Sequence, residues 1–353
     1  MSWRATAAMG LLLATGAVPA SDGAEKFSIR NQISLAVPQP LAELADGAVR
    51  HFTADLHLPP PQIEQLDAAP AFRKFCTGAG AEFPDLVVAP RRISRGEFRR
   101  CHDNGVKEIA EVAVGYEAVA LLAKSDAPPM LVNPELLYRA LAREVPDTHE
   151  FTPNHALTWK DLDHNLPSLD IRAILTERGT STRSLFDDKV LQSGCRQVPE
   201  LRAIFAADTR VGLCTNLRQD GRVTQVATPD AALTELDAQP PGTFALVPAR
   251  FAGAADKRYQ RIAVDGMLPG PESVRNEDYP LSRRLYFYFK IGHMRDRKGY
   301  GVAPNLRDLL DRLVAEEAVG PQGYFATQGM VVIGEAERQR QRRAAGALIP
   351  LER

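Results

Sequence analysis

The chain has 353 residues, of which 44% are hydrophobic and 25% are charged. This length and composition allow a sizeable core and two domains of ordinary size. The formal net charge of -1 creates no overall field that would attract nucleic acid or an anionic membrane surface, so any selectivity for anions must be local.

The first residues have the order that is typical of a secretory signal peptide. Arg4 precedes an apolar run over residues 5–18, and small residues follow around Ala20. The run is short for a membrane span. We therefore predict a signal peptide over residues 1–24 and export of the mature chain. A retained N-terminal anchor is the alternative.

The four cysteines, Cys76, Cys101, Cys195 and Cys214, fit an oxidising compartment, because their spacing contains no Cys-x-x-Cys metal motif. Four cysteines allow three pairings. We favour Cys76–Cys101 and Cys195–Cys214, since shorter loops close at a lower entropic cost. Each disulfide would stabilise the fold by about 3 kcal/mol.

Strands and helices alternate through the first third of the chain. Residues 27–37 are strand-like, and residues 41–52 have a helical pattern. Residues 85–89 read as a buried strand that Pro90 ends, and Ser94 can cap a helix that runs through Cys101. The apolar run over residues 109–122 predicts either a strand pair or one strand that crosses between domains.

The remaining elements continue the same alternation. Asn133-Pro134-Glu135 opens a helix that Pro146 is expected to stop, and residues 169–174 alternate as a strand. A helix then begins near Thr182 and ends at Gly194. Further expected features are a helical segment after Pro199, a turn at Asp220-Gly221, strands over residues 243–247 and 285–289, a helix from Asn305 to Gly320 and a surface helix from Glu335. This order without an internal repeat predicts an α/β fold with two domains.

The segment Thr180-Ser181-Thr182-Arg183 lies between a predicted strand and a predicted helix. The first amides of a helix have no partner inside it, and the helix dipole places partial positive charge there. The hydroxyls add donors, and Arg183 adds a planar fork that suits phosphate or carboxylate. An isolated hydroxyl would be an ordinary helix cap. Hydroxyl residues in a row next to Arg183 favour an oxyanion site.

Residues for catalysis or metal binding form no convincing pattern. The histidines are in no metal-binding spacing, and their positions are His51, His57, His102, His149, His155, His164 and His293. Asp161-x-Asp163-His164 is the nearest to a cluster, but it is more typical of a solvated turn. We therefore expect a protein that is not an enzyme and that needs no metal or cofactor.

Short segments along residues 27–333 form an ordered set, which includes Phe75-Cys76-Thr77-Gly78, Pro84-Asp85, Arg91-Arg92-Ile93, Asn104-Gly105-Val106, Val114-Gly115-Tyr116-Glu117, Thr158-Trp159, Thr182-Arg183 and Tyr279-Pro280-Leu281-Ser282-Arg283-Arg284-Leu285-Tyr286. By their order and spacing, these segments together resemble a known family, the PstS-like periplasmic phosphate-binding components of ABC importers. The resemblance implies the two-lobed type II periplasmic binding protein fold, in which each lobe is a mixed sheet flanked by helices and a hinge joins the lobes.

The resemblance also implies the domain boundaries and the function. Residues 25–119 and 248–340 would form lobe I, residues 120–247 lobe II, and residues 341–353 a C-terminal tail. A monomer in the periplasm would hold inorganic phosphate or another small oxyanion in the cleft between the lobes. It would then present the anion to an ABC permease in the inner membrane, with no role for nucleic acid.

The candidate ligand residues follow from matching this chain to the family. The lobe II anion loop corresponds to Thr180, Ser181, Thr182 and Arg183. Lobe I departs from the family, because prolines replace hydroxyls before the first helix and at Pro90. Before residue 72, a segment that contains Asp67 replaces the glycine-rich loop of the family. Arg91 remains as a lobe I donor after a buried strand, and Gln39, Asp67 and Arg92 are weaker candidates.

Each missing donor costs on the order of 1–3 kcal/mol for an anion removed from water. We therefore expect weak phosphate binding or a different ligand. The alternative is a degenerate binding-protein fold that serves as a sensor or a protein-interaction scaffold.

Overall fold

The computed structural model describes residues 28–147, 150–204, 206–252, 257–294 and 301–352. The predicted signal peptide, residues 1–24, lies outside the described residues.

The strands and helices alternate along the chain, as the sequence predicts. The strands are β1 (Ser34–Val37), β2 (Gln62–Gln65), β3 (Leu86–Ala89), β4 (Ile109–Lys124), β5 (Leu131–Val132), β6 (Glu144–Asp147), β7 (Glu150–Pro153), β8 (Arg172–Thr176), β9 (Val223–Val226), β10 (Thr243–Pro248), β11 (Tyr259–Arg261), β12 (Ala263–Val264) and β13 (Ser282–Lys290). The helices are α1 (Ala42–Thr53), α2 (Ala68–Phe75), α3 (Arg95–Asp103), α4 (Pro134–Leu141), α5 (Trp159–Leu162), α6 (Ser181–Phe186), α7 (Ser193–Cys195), α8 (Pro199–Arg202), α9 (Ala207–Thr215), α10 (Pro229–Ala238), α11 (Pro271–Arg275), α12 (Leu306–Leu313), α13 (Glu316–Val319), α14 (Tyr324–Thr327) and α15 (Glu335–Gly346). A wider helical turn over Asp187–Gln192 joins α6 to α7.

Local capping explains where several of these helices begin. Ser94 accepts a hydrogen bond from the N–H of Glu97, and the Glu97 side chain bonds back to the N–H of Ser94, which forms a capping box at the start of α3. Asn133 accepts from the N–H of Leu136 at 2.8 Å, and Pro134 follows as the first residue of α4.

The fold is two-lobed and α/β, with helices packed on a large mixed sheet whose strand order is β2-β1-β3-β13-β4-β10-β8-β9. The β1–β2, β1–β3, β8–β9 and β8–β10 pairs are parallel, whereas β13 and β4 run antiparallel to their neighbours. Helices cover both faces of this sheet, and strand β3 illustrates this. Leu86 and Val88 pack in one core with residues of α1 and α12, and Val87 and Ala89 pack in another with Phe72 of α2.

Strand β4 is one long strand, which decides between the two readings of the apolar run at residues 109–122. Residues 109–118 pair with β13, and residues 119–124 pair with β10 and β11. The exchange of partners lies between Ala118 and Val119. The lobe boundaries that the family resemblance implies stay a prediction.

Some expected boundaries were wrong. Pro146 does not end α4, which stops at Leu141, because Pro146 lies in the β6–β7 hairpin opposite Phe151. The strand expected over residues 169–174 is β8. Its residues 173–176 are all buried, because α6 packs on one face of the strand and α10 packs on the other.

The helix expected from Asn305 to Gly320 is also interrupted. Helix α12 ends at Leu313, and the short α13 follows before Gly320. Asn305 occupies the N-cap position with a left-handed backbone, φ 50°, and its side chain makes no capping hydrogen bond.

Both predicted disulfides are present. Cys76–Cys101 ties the end of α2 to α3, and Cys195–Cys214 ties α7 to α9. All four cysteines are buried, so each cystine is part of the core that surrounds it.

Candidate functional site

The predicted anion loop follows β8 directly, but its first hydroxyl acts as a helix cap. Thr180 has an extended backbone, and its hydroxyl oxygen accepts from the N–H of Arg183 at 3.2 Å. The same hydroxyl lies 3.0 Å from the carbonyl oxygen of Glu177, to which it can donate. The structure therefore places Thr180 in the role of an ordinary N-cap, which was the alternative reading of this hydroxyl.

Arg183, the predicted ligand arginine, is fully buried in α6. Its Nε donates to Oδ1 of Asp187 at 2.6 Å, and its Nη1 donates to Oε1 of Gln225 on β9 at 3.0 Å. Burial raises the pKa of Asp187 above its ordinary value, and the adjacent Arg183 opposes that rise. These contacts join α6 to the sheet, so the described partners of Arg183 are structural groups of the same half of the molecule.

Ser181 forms hydrogen bonds with side chains of β4 and β13. Its hydroxyl donates to Oε1 of Glu117 at 2.6 Å and accepts from Nη2 of Arg283 at 2.8 Å. Arg283 also donates from Nε to Oε2 of Glu117 at 2.8 Å and from Nη1 to the Ser184 hydroxyl at 3.3 Å. We call Ser181, Glu117 and Arg283 the serine triad. The hydroxyl proton of Ser181 is thus already used within the protein.

Gln39 lies against the same loop. A Cβ atom added at Gly179, where φ is +93°, would be 3.2 Å from Nε2 of Gln39. Gln39 follows β1 and Gly179 follows β8, so the segments after these two strands meet although the strands are not neighbours in the sheet. The structure thus brings Gln39, a lobe I candidate, next to the segment Thr180–Arg183, which holds the lobe II candidates.

Arg91 and Arg92 follow the carboxyl end of β3, where an open α/β sheet presents ligand groups. Arg91 makes two hydrogen bonds to the Glu97 carboxylate, at 2.7 and 2.8 Å, and its guanidinium lies 5.1 Å from the centre of the Phe72 ring. Glu97 raises the pKa of Arg91, so the positive charge is secured. Arg92 donates to the Tyr286 hydroxyl at 3.1 Å.

Both arginines line a cavity of about 590 Å³, which we call the basic cavity. Its lining consists of Pro90, Arg91, Arg92, Tyr116, Lys189, Glu277, Tyr279, Pro280, Ser282, Arg283, Arg284 and Tyr286. The carboxylates that pair with Arg91, Arg283 and Arg284 are absent from this lining, which contains Glu277 as its acidic residue. Cationic residues therefore outnumber acidic residues in the lining of the basic cavity.

Arg284 is held between two tyrosine rings at the wall of the basic cavity. Its guanidinium is 5.4 Å from the centre of Tyr116 and 5.3 Å from the centre of Tyr286, and it pairs with Glu337 on α15. Burial raises the pKa of Tyr116 and of Tyr286, so both phenols are neutral at pH 7. A rigid wall of this kind keeps an arginine in place at little entropic cost.

The other predicted candidates do not line the basic cavity. Asp67 is exposed at the N-cap position of α2 and makes no capping hydrogen bond through its side chain. Thr180, Ser181, Thr182, Arg183 and Gln39 are likewise absent from the lining, although Ser181 contacts it through Arg283.

Sequence reasoning missed Glu117, Lys189, Arg283 and Arg284 as site residues. Glu117, Arg283 and Arg284 lie in segments that carry the family resemblance, but nothing local to them indicates that they meet. In the structure Glu117 and Arg283 are opposite each other in the β4–β13 ladder.

The part of the chain that the structure describes contains no group of three or more His, Cys, Asp and Glu residues that could hold a metal ion. In the same part, no helix is long and apolar enough to cross a membrane.

Comparisons with known proteins agree on the fold. A family model described as a PBP superfamily domain matches residues 25–314. The structure of a possible phosphate binding protein from Planctomyces limnophilus DSM 3776 superposes with a TM-score of 0.65 at 13% identity, covering 91% of this chain and 100% of that chain. PstS from Borrelia burgdorferi superposes with a TM-score of 0.57 at 13% identity, covering 86% and 100%. No curated protein matches the sequence.

Proposed function

This chain belongs to the PBP superfamily, and from that premise we propose that it is a periplasmic solute-binding protein that holds an oxyanion in the basic cavity. Residues 25–119 and 248–340 would act as one lobe and residues 120–247 as the other. The protein would present its ligand, phosphate or a related anion, to an ABC permease in the inner membrane. The proposed activity is binding and release, without a chemical step.

The observation that carries this proposal is the convergence of cations from distant segments on one cavity. Arg91 and Arg92 come from the end of β3, Lys189 from the helical turn after α6, and Arg283 and Arg284 from β13. A hydrogen bond from a charged donor contributes about 1.5–3 kcal/mol to an interaction. A cavity with this lining therefore favours an anionic ligand over a neutral one.

The basic cavity is large enough for anions that are bigger than inorganic phosphate. Its volume of about 590 Å³ lies within the range of about 300–1,000 Å³ that is typical of small-molecule pockets. An inorganic anion would fill a small part of it. Phosphate esters, phosphonates and polycarboxylates are therefore included with phosphate and sulfate in the ligand class that we propose.

The test is a thermal-shift panel of these anions, followed by calorimetric titration of each one that raises the melting temperature. The Lys189→Ala variant is expected to weaken binding about tenfold, which corresponds to about 1.4 kcal/mol. Lys107→Ala is the matched control, because Lys107 lines a separate cavity with His293 and Lys290. Equal affinities of wild type and Lys189→Ala, or an equal loss in both variants, would contradict binding in the basic cavity.

The alternative is a sensor or protein-interaction scaffold that uses the fold without binding phosphate. The serine triad favours it, because a hydroxyl expected to hold the anion bonds to Glu117 and Arg283 instead. The alternative predicts that no anion in the panel stabilises the protein. A gene neighbourhood with permease and ATPase genes would favour the receptor, and one with a sensor kinase gene would favour the alternative.

A further inference from the structure

The serine triad has the composition of an occupied anion site. The Glu117 carboxylate accepts from the Ser181 hydroxyl at 2.6 Å and from Nε of Arg283 at 2.8 Å. A hydroxyl and a guanidinium are donors that suit a bound phosphate or carboxylate. In this chain the oxyanion that they bind is a side chain of the protein itself.

The pairing of two strands holds the Glu117 carboxylate next to Arg283. Glu117 and Arg283 are direct cross-strand neighbours on β4 and β13, next to the point where β4 changes partners. The Arg283 side chain is 4% exposed and that of Glu117 is 19% exposed. Arg283 cannot turn away without also losing its bonds to the hydroxyls of Ser181 and Ser184.

A free anion would have to compete with Glu117 for these donors. Its approach to Ser181 would bring a second negative charge against the carboxylate and would leave that carboxylate without its partners. Arg283 also lines the basic cavity, whereas Glu117 does not. An anion in the basic cavity would therefore be attracted by the positive charge of Arg283 without contacting Glu117.

We propose that Glu117 is an internal anion that occupies the donors of Ser181 and Arg283, so that the loop excludes small oxyanions and an external ligand binds on the other side of Arg283. The second part of this statement rests on the proposed function. The first part depends only on the serine triad. Glu117 is then the residue that determines which anions reach the loop.

The test removes the internal anion and supplies an external one. Glu117→Ala leaves a space beside Ser181 and Arg283, and we expect saturable binding of formate and of phosphate at least tenfold tighter than in wild type. The binding is measured by thermal shift and calorimetry on the folded variant. Glu117→Gln keeps the volume of the side chain and is expected to show no such gain. If Glu117→Ala does not fold, Glu117→Ser is titrated with the same expectation.

Glu316→Ala is the matched control, since Glu316 pairs with Arg338, a buried arginine that does not line the basic cavity. The double variant Glu117→Ala/Ser181→Ala is expected to lose the gain, because the hydroxyl donor is missing. No gain in Glu117→Ala, or an equal gain in Glu316→Ala, would overturn the inference.

The outcomes separate this inference from the proposed function. Wild type that binds an anion through Lys189, together with a Glu117→Ala variant that gains nothing, refutes the internal anion alone. Wild type that binds no anion, together with a Glu117→Ala variant that binds formate, refutes the proposed function and supports the internal anion.

Discussion

Arg183 and Asp187 form a buried ion pair within one helical segment, with Nε of Arg183 2.6 Å from Oδ1 of Asp187. The Arg183 side chain is 0% exposed, and Gln225 supplies a second acceptor. Arg183 was expected to bind the ligand. Its described hydrogen bonds go to groups of the protein, while its Nη2 is buried and has no hydrogen-bond partner among the described residues. This difference leads to a prediction about stability.

Replacing Arg183 by alanine should lower the free energy of unfolding by about 3 kcal/mol, because it leaves the Asp187 carboxylate, which is 18% exposed, without its partner. Urea denaturation measures the change. Arg99→Ala is the control, since Arg99 is exposed on α3 and should change stability by less than about 0.5 kcal/mol. A variant as stable as wild type that no longer binds an anion would instead restore the ligand role of Arg183.

The same variant should respond to pH through Asp187. Burial already raises the pKa of this carboxyl, and loss of Arg183 should raise it further. The folded state then keeps a proton that the unfolded state releases near pH 4, so stability falls as pH rises through the interval between the two pKa values. Urea denaturation should show a larger loss in Arg183→Ala at pH 7 than at pH 4. Equal losses at both pH values would contradict this account of Asp187.

Two helical glycines should respond in opposite ways to alanine. A Cβ atom on Gly194 in α7 would lie 2.0 Å from the carbonyl oxygen of Pro134, whereas a Cβ on Gly212 in α9 would meet no atom within 4 Å. Gly194→Ala should destabilise the protein by about 1–3 kcal/mol or more. Gly212→Ala should stabilise it by about 0.5–1 kcal/mol, because alanine loses less backbone freedom on folding. Thermal melts of the two variants test the close packing of α7 on α4, and equal shifts would contradict it.

Lys290 should make the stability of the protein depend on pH above neutrality. Burial lowers the pKa of its ammonium to about 7, although Nζ donates to the carbonyl oxygen of Gly78 at 2.7 Å. Between pH 7 and the ordinary lysine pKa of about 10.4, the unfolded state binds more protons than the folded state. The free energy of unfolding should therefore rise with pH in this window, by up to about 1.4 kcal/mol per pH unit.

Urea denaturation between pH 6.5 and 9.5 measures this slope. In Lys290→Met the contribution should disappear, whereas Lys107→Met, which changes an exposed lysine, should keep the wild-type slope. Identical slopes in wild type and Lys290→Met would show that the amine is charged throughout the window.

The Cys195–Cys214 disulfide joins residues 19 apart and should contribute about 3 kcal/mol to stability. Both of its sulfurs are buried, so a reductant should act only after local opening. Mass spectrometry should detect little reduction by dithiothreitol in native buffer and complete reduction in urea. The Cys195→Ser/Cys214→Ser variant measures the stability, and a loss below about 1 kcal/mol would contradict the estimate.

The features that could be predicted from the sequence depend on nearby residues. Capping by Ser94 and Asn133, the buried strand before Pro90 and the two disulfides are all visible within short segments, and the structure contains them. Whether a candidate residue binds a ligand was harder to predict from the sequence. The hydroxyls of the loop and the guanidinium of Arg183 have the right chemistry for an anion, but that chemistry serves equally well inside the protein.

The sequence by itself determined the fold class, the alternation of strands and helices and the chemical types at the ends of the strands. Only the tertiary structure decided which of those groups are already bonded. Ser181 meets Glu117 and Arg283 because β4 and β13 pair in one register, across a separation of 166 residues between Glu117 and Arg283. Hydrogen-bond partners so far apart in the chain leave no local sequence pattern. The local sequence around an arginine or a serine is therefore the same whether the residue binds a ligand or a side chain of the protein.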